Sequence, residues 1–177
     1  METQVEGIKI EIIQGDIAAQ EDIEAVVNAA NAHLKPGGGV AGALHKAAGP
    51  GLEQEGSKFA PIKPGEAVLT GGHDLPNEYV IHCLGPVYRV DEPSDELLAS
   101  CYKEALRIAE EKNISTVAFP ALSTGAFGYP VEDAAKIAFK IIFEKAKELK
   151  KVSHIRFVLF DKKSYDVHEN VLSEIKN

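Results

Sequence analysis

The sequence predicts an α/β fold in which a largely parallel sheet is covered by helices on both faces. Two observations carry that prediction. Short apolar or alternating segments of strand type take turns along the chain with amphipathic segments of helical period, joined by short connections. The unusual polar and glycine-rich spots, moreover, each follow a strand-type segment, as they must if the carboxyl ends of parallel strands share one ligand-binding rim.

The first segment, IKIEII at 8–13, alternates Ile8, Ile10 and Ile12 and reads as a strand with one face in the core. EAVVNAA, at 24–30, is a continuous apolar run of the kind found in buried central strands. From Val40 onward, Val40, Leu44, Ala47 and Ala48 fall at helical spacing. EAVLTG (66–71) and YVIHCLG (79–85) then read as strands. Ser94, followed by Asp95 and Glu96, is placed as an N-cap, and Leu97, Cys101, Ala105, Leu106 and Ala109 as the inward face of the helix it opens. STVAFPA (115–121) is the next strand. Pro130 takes a favourable first helical position, ahead of Val131, Ala134, Ala135, Ala138 and Ile142 on one side. HIRFVLF (154–160) is the last strand, and a closing helix carries Val167, Val171, Leu172 and Ile175. No linker, repeat or low-complexity tract interrupts the 177 residues, so 1–177 is expected to be one domain.

Composition excludes several classes of function. With 45% hydrophobic and 26% charged residues the chain is ordinary for a soluble globular protein. No apolar run approaches the roughly 20 residues that a bilayer span needs. METQVEGIKI lacks the basic start and apolar centre of a signal peptide, so a cytoplasmic protein is expected. Cys83, in an apolar strand, and Cys101, on the apolar face of a helix, read as small buried hydrophobes. The six histidines stand in no HExxH or paired CxxC setting, and no metal is expected. A net charge of −8 does not attract a nucleic-acid backbone. The one basic run, EKAKELKK at 144–151, reads as a solvated helix end favoured by the dipole. An anion would therefore have to be held by backbone N–H groups.

The candidate rim collects GD at 15–16, NAAN at 28–31, the triple glycine at 37–39, STGAFG at 123–128, and Asp161. Gly37, Gly38 and Gly39 allow close approach of a ligand to the backbone, and the helix from Val40 aims unpaired N–H groups and a positive dipole end at the same place. Gly125 and Gly128 around Ala126 and Phe127 repeat the design, with Ser123 and Thr124 adding hydroxyls. Two such loops facing one another point to a diphosphate gripped from both sides. Asp16 is open to a second reading, as a turn residue bonded to its own backbone. Phe127, an aromatic between glycines, is placed against a ligand, whereas Phe160, ending an apolar strand, reads by itself as core. GGGVAG satisfies GxGxxG, but it follows the second strand and no acidic residue ends the next one, so the match to the dinucleotide fingerprint is weak and an NAD(H) enzyme stays only as a distant third option. No GxxxxGK[ST] motif occurs.

These same motifs, GDI, NAAN with GGGVAGALHKAAG, YVIHCLGP and FPALSTGAFGYP, stand in the order and spacing of the macrodomain family, which the chain resembles from about residue 8 to 175. The resemblance implies a three-layer α/β/α fold with a mixed, mostly parallel sheet and a cleft for ADP-ribose, with no cofactor. It also implies ADP-ribose and ADP-ribosylated proteins as partners of what is expected to be a monomer. Under it, Asp16 accepts a hydrogen bond from the adenine amino group, a contact of roughly 1.5–3 kcal/mol, with Ile17 beside it. Phe160 becomes the aromatic stacked on adenine, at about 1–3 kcal/mol. Gly37, Gly38, Gly39 and Val40, with Ala41 next to them, form one diphosphate loop, and Ser123, Thr124, Gly125, Ala126, Phe127 and Gly128 the other. Phe127 packs on the distal ribose, Asn31 contacts its hydroxyls, and Asn28 holds the loop.

Many macrodomains remove ADP-ribose from acidic side chains or deacetylate O-acetyl-ADP-ribose. Those of the MacroD type carry GGGVDGAIHRAAG, whose aspartate is proposed to orient water. Here that position is Ala41, while His45 is kept. Two functions are therefore expected in competition. One is a slow ADP-ribosyl hydrolase that uses Asn31 to hold the sugar, with His45 as a candidate acid or base. The other is a non-catalytic ADP-ribose reader, in which His45 is a helix histidine bonded to backbone.

Overall fold

The computed structural model describes residues 1–176. Seven strands run in chain order as β1 (Glu2–Val5), β2 (Ile8–Gln14), β3 (Ala25–Ala29), β4 (Ala67–Gly71), β5 (Tyr79–Cys83), β6 (Thr116–Phe119) and β7 (His154–Leu159). Five helices accompany them: α1 (Gly39–Ala48), α2 (Gly51–Gly56), α3 (Ser94–Glu111), α4 (Val131–Ala146) and α5 (Lys162–Lys176). A single 3₁₀ turn covers Ile17–Ala19. The strands form one sheet in the order β1-β2-β7-β6-β3-β5-β4. The five central strands are parallel, and β1 and β4 pair antiparallel at the two edges.

Period-two alternation divides each central strand between two helical layers. Ile10, Ile12, Val27, Ile81, Val117 and Phe157 pack with Leu98, Tyr102, Phe139 and Leu172 of α3, α4 and α5. On the opposite face Val26, Val80, Ala118 and Val158 pack with Leu44 and Ala48 of α1, Leu52 of α2 and Ile17 of the 3₁₀ turn. At about 1.5–3 kcal/mol for each large apolar side chain removed from water, these two interfaces set the three-layer order. None of the described helices is long and apolar enough to cross a membrane. Cys83 and Cys101 are both buried and unbonded to one another.

Several local expectations need correction. Ser94 is the first helical residue rather than a cap; its Oγ donates to Asp91 O (2.6 Å) and accepts from Arg89 N (3.1 Å), tying down the preceding turn. Leu98, not Leu97, is fully buried, because each residue turns the helix by about 100° and the start lies one residue off. Ala47 and Ile175 are exposed at the margins of their stripes. Pro130 precedes α4 as its flanking residue instead of occupying the first turn. The basic run mostly leaves α4, which ends at Ala146. Beyond it the Glu110 carboxylate accepts the N–H groups of Lys150, Lys151 and Val152.

One polar row crosses the sheet beneath α1. Asn28 of β3, His82 of β5 and Thr70 of β4 are buried; Asn28 is the register partner of His82, and Thr70, whose own partner is Val80, stands diagonally from His82 on the same face. Thr70 Oγ1 donates to Gly71 O (3.1 Å), so it accepts from His82 Nε2–H (2.9 Å), which leaves Nδ1 to accept from Asn28 Nδ2 (3.0 Å). His82 is thus held neutral, and burial pushes its pKa down to about 4 from the ordinary 6.5. Between those values the unfolded chain binds a proton that the folded one refuses. Stability is therefore full above pH 6.5 and falls as pH drops toward 4. From pH 7 to pH 5 the loss from this group alone is about 2 kcal/mol. In chemical denaturation across that range, His82→Gln is expected to flatten the slope by this amount; an unchanged slope would mean that His82 is charged in the fold.

Candidate functional site

The parallel strands β2, β7, β6, β3 and β5 all end on one rim, and every sequence-marked loop lies there. The sheet order arranges them as a line. The Asp16 turn follows β2, Phe160 follows β7, the 123–128 loop follows β6, the 31–39 loop follows β3, and the 84–91 segment follows β5. With strands about 4.8 Å apart, the line from the β2–β7 end to β5 spans roughly 17 Å. A cleft of this kind at strand carboxyl ends is where open α/β sheets bind ligands.

Asp16 serves its own turn. Its Oδ1 accepts from Ala18 N (2.9 Å), and its carbonyl accepts from Gln20 Nε2 (2.8 Å). The carboxylate is exposed and Oδ2 has no donor among the described residues, so capping and ligand contact are compatible uses of one side chain. Ile17 points its side chain into the α1-side core, so only its backbone can face the rim. Phe160 corrects the reading of it as core. It is 88% exposed, standing out of the rim immediately after β7 while its neighbour Leu159 is buried. An aromatic ring left in water in this way has unused apolar surface at the rim.

The first glycine loop is shaped by close packing. A Cβ on Gly42 would lie 2.3 Å from Gly37 O, so the opening turn of α1 rests directly on the loop backbone. Gly39 has φ +54°, in the left-handed region that favours glycine. The first intrahelical bond is Gly42 N to Gly38 O (3.2 Å), which leaves the N–H groups of Gly39, Val40 and Ala41 without carbonyl partners among the described residues, at the positive end of the helix. Asn31 clamps this loop: its Nδ2 donates to Lys35 O (2.8 Å) and its Oδ1 accepts from Lys35 N (3.0 Å). One amide N–H and one lone pair of Asn31 stay in reserve. The loop-holding part expected of Asn28 thus belongs to Asn31, while Asn28 is bonded beneath the sheet with its Oδ1 unpartnered among the described residues.

In the second loop Gly128 N donates to Gly125 O and Tyr129 N to Ser123 O, leaving the N–H groups of Gly125, Ala126 and Phe127 without protein acceptors among the described residues. The hydroxyls are placed differently from expectation. Thr124 Oγ1 donates to Ala121 O (2.8 Å), and buried Ser123 turns toward Gly85, where a Cβ would sit 2.1 Å from its Oγ. This loop presents amides, with neither hydroxyl directed outward. Phe127 packs against the cluster of Ala30, Leu34, Ile62 and Leu84, which joins the two loops at the β3 end.

Ala41 and His45 lie one helical turn apart on the buried face of α1. Neither ring nitrogen of His45 has a partner among the described residues, so the backbone bond expected for it is not made. Burial lowers its pKa, leaving a neutral imidazole next to His82. The buried Asn28–His82–Thr70 row and the seating glycines Gly42 and Gly85 were missed in the sequence. Their signal, polar side chains inside apolar strands and glycines inside a helix or just past a strand, is legible only once register is known.

The rim of this α/β domain therefore brings together two loops whose backbone N–H groups lack acceptors among the described residues, an exposed aromatic ring and an exposed carboxylate. The Macro domain model matches residues 27–138. A Macro domain-containing protein of Caldanaerobacter subterraneus subsp. tengcongensis is 44% identical over 172 residues, covering 94% of this chain and 97% of its own. The human ADP-ribose glycohydrolase MACROD2 is 43% identical over 169 residues, covering 94% of this chain and 40% of that protein. Among solved structures, an Oceanobacillus iheyensis macrodomain with ADP superposes with a TM-score of 0.95 at 35% identity, over 99% of this chain and 96% of that one. A Trypanosoma brucei macrodomain in complex with ADP-ribose gives 0.86 at 33% identity, over 92% and 68%. The chain belongs to the Macro domain family.

Proposed function

We propose that the protein binds ADP-ribose along the rim and slowly hydrolyses ADP-ribosyl derivatives, either mono-ADP-ribosylated Asp or Glu on proteins or O-acetyl-ADP-ribose. The observation that carries this reading is the pair of loops after the neighbouring strands β6 and β3 whose N–H groups at 39–41 and 125–127 lack acceptors among the described residues. They offer a diphosphate several charge-assisted hydrogen bonds without a cationic side chain. Adenine fits between Phe160 and the free Oδ2 of Asp16, and the distal ribose between Phe127 and the spare capacity of Asn31. The reading is supported by the ligands of the Trypanosoma brucei and Oceanobacillus iheyensis structures and by the name of the human relative.

With an ADP-ribosylated carboxylate, hydrolysis adds water at the anomeric carbon and releases the carboxylate; with O-acetyl-ADP-ribose, water adds to the acetyl carbonyl and releases acetate, leaving the ribose hydroxyl. With alanine at position 41, a phosphate oxygen of the bound substrate orients that water, and the loop amides stabilise the charge that develops. Asn31 is the stronger catalytic candidate because it borders the sugar. His45 is the weaker, being 6% exposed and neutral. Loss of a general base typically costs 10²–10⁴ in rate, so turnover is slow.

Ala41 itself favours a second reading, a non-catalytic reader of ADP-ribosylated proteins. Incubation with a mono-ADP-ribosylated protein separates the two. Release of ADP-ribose over hours is expected, and none at stoichiometric protein would leave the reader.

A further inference from the structure

We infer that the turn at 87–91 is a docking surface for the acidic polypeptide that carries the ADP-ribosyl group, with Arg89 as its charge-reading residue. This rests on the reading of the cleft as an ADP-ribose site and names what lies beyond it.

The position follows from the sheet order. β5 is the last parallel strand of the rim, one beyond the β3 loop, so its exit segment lies past the Phe127 end of the cleft. It is fastened there, since Tyr88 N donates to Phe127 O (2.8 Å) and the Tyr88 ring lies 4.6 Å from that of Tyr129. Whatever is attached to the distal sugar leaves the cleft on this side.

The turn is also rigid. Val90 N and Asp91 N both donate to Val87 O, Asp91 Oδ2 accepts from Val87 N (2.8 Å), and Arg89 N donates to Ser94 Oγ. These bonds hold up two exposed side chains, Arg89 and Val90. Val90 is 72% exposed, the most exposed large aliphatic residue described. Arg89 is exposed, with its guanidinium 5.1 Å above the Tyr88 ring.

The charge pattern selects the partner. The chain has 27 acidic residues, and its other two arginines each hold two carboxylates: Arg107 with Glu104 and Glu111, Arg156 with Glu11 and Asp22. Arg89 is the one arginine without a carboxylate partner among the described residues. The nearest acids in sequence are turned to backbone, Asp91 to Val87 N and Glu92 to Ser94 N. A preorganised, unpaired guanidinium at the exit of a site for modified carboxylates matches a segment with further Asp or Glu beside the modified residue. Val90 covers the aliphatic stems of that segment.

The test compares three ligands by calorimetry at low and moderate salt: free ADP-ribose, and two peptides carrying ADP-ribose through a non-hydrolysable linkage, one with acidic and one with neutral flanks. The acid-flanked peptide is expected to bind most tightly to the wild type, with an advantage that shrinks as salt rises. Arg89→Gln should remove about fivefold of that peptide's affinity and leave free ADP-ribose and the neutral peptide unchanged. Val90→Asp should weaken both peptides but not ADP-ribose. Equal binding of both peptides by the wild type, or an equal loss for ADP-ribose in Arg89→Gln, would overturn the inference while the cleft assignment stood. No binding of ADP-ribose to the wild type would instead remove the cleft assignment itself.

Discussion

Replacing Gly42 with alanine is expected to abolish most ADP-ribose binding while the protein stays folded. The new Cβ would fall 2.3 Å from the Gly37 carbonyl oxygen and 3.4 Å from its carbon, and both are backbone atoms that cannot rotate away. Relief needs a displacement of about 1 Å in the loop, enough to break hydrogen bonds whose useful range spans only a few tenths of an ångström. If two amide contacts to a charged phosphate are lost, at about 1.5–3 kcal/mol each, affinity falls about a hundredfold or more. Alanine is the better helix former by roughly 1 kcal/mol, which offsets part of the strain on α1. Calorimetry with ADP-ribose and thermal melting check the two halves of this prediction. Binding within threefold of wild type would show that the Gly37–Gly39 backbone does not touch the ligand.

Ala41→Asp is expected to raise the rate of ADP-ribosyl hydrolysis at least tenfold, toward the 10²–10⁴ that a positioned general base supplies. Position 41 lies in the first turn of α1, where unpaired N–H groups and the helix dipole stabilise a carboxylate. Affinity for ADP-ribose should change far less than the rate, because the substitution adds a group aimed at the attacking water. Single-turnover release from a mono-ADP-ribosylated protein gives the rate directly. A variant no faster than wild type would exclude water orientation from this position and leave the phosphate-assisted route as the one in use.

How much of this was legible beforehand depended on how local each signal is. Ile8, Ile10 and Ile12 show a strand because alternation is a period-two property of adjacent residues. The glycine loops show themselves because consecutive glycines before a helix have few other uses. Phe160 shows the limit. In sequence it continues the apolar run of β7, and only the end of pairing at Leu159, the last residue with a β2 partner, turns it outward. Its place at the end of an apolar run pointed inward, whereas the resemblance to a family placed it against a ligand, which its exposure allows. The Thr124 hydroxyl misled for a related reason: it is equally suited to a phosphate and to a neighbouring carbonyl, and Ala121 O is 2.8 Å away, whereas Ser123 Oγ is buried without a partner among the described residues.

Of the two edge strands, β4 was read in the sequence and β1 was not, for a different cause. β1 is four residues, ETQV, with its burial alternating between exposed and half-buried, so it carries almost no hydrophobic pattern of its own. It exists because β2 offers it a free edge. The Asn28–His82–Thr70 row is likewise long-range, since residues from three separated segments meet only when the sheet sets their register. Arg89 stood in the sequence as one basic residue among 19, and its lack of a carboxylate partner became a fact only with the other arginines placed.

The central claim is that backbone amides from two loops hold the diphosphate with no cation among them, and amide proton–nitrogen NMR during titration with ADP-ribose tests it most directly. The account predicts large downfield shifts and slowed solvent exchange at Gly39, Val40 and Ala41 and at Gly125, Ala126 and Phe127, with Lys35 and Arg89 side-chain signals little changed. Shifts confined to lysine and arginine side chains, or amide changes at only one of the two loops, would contradict it.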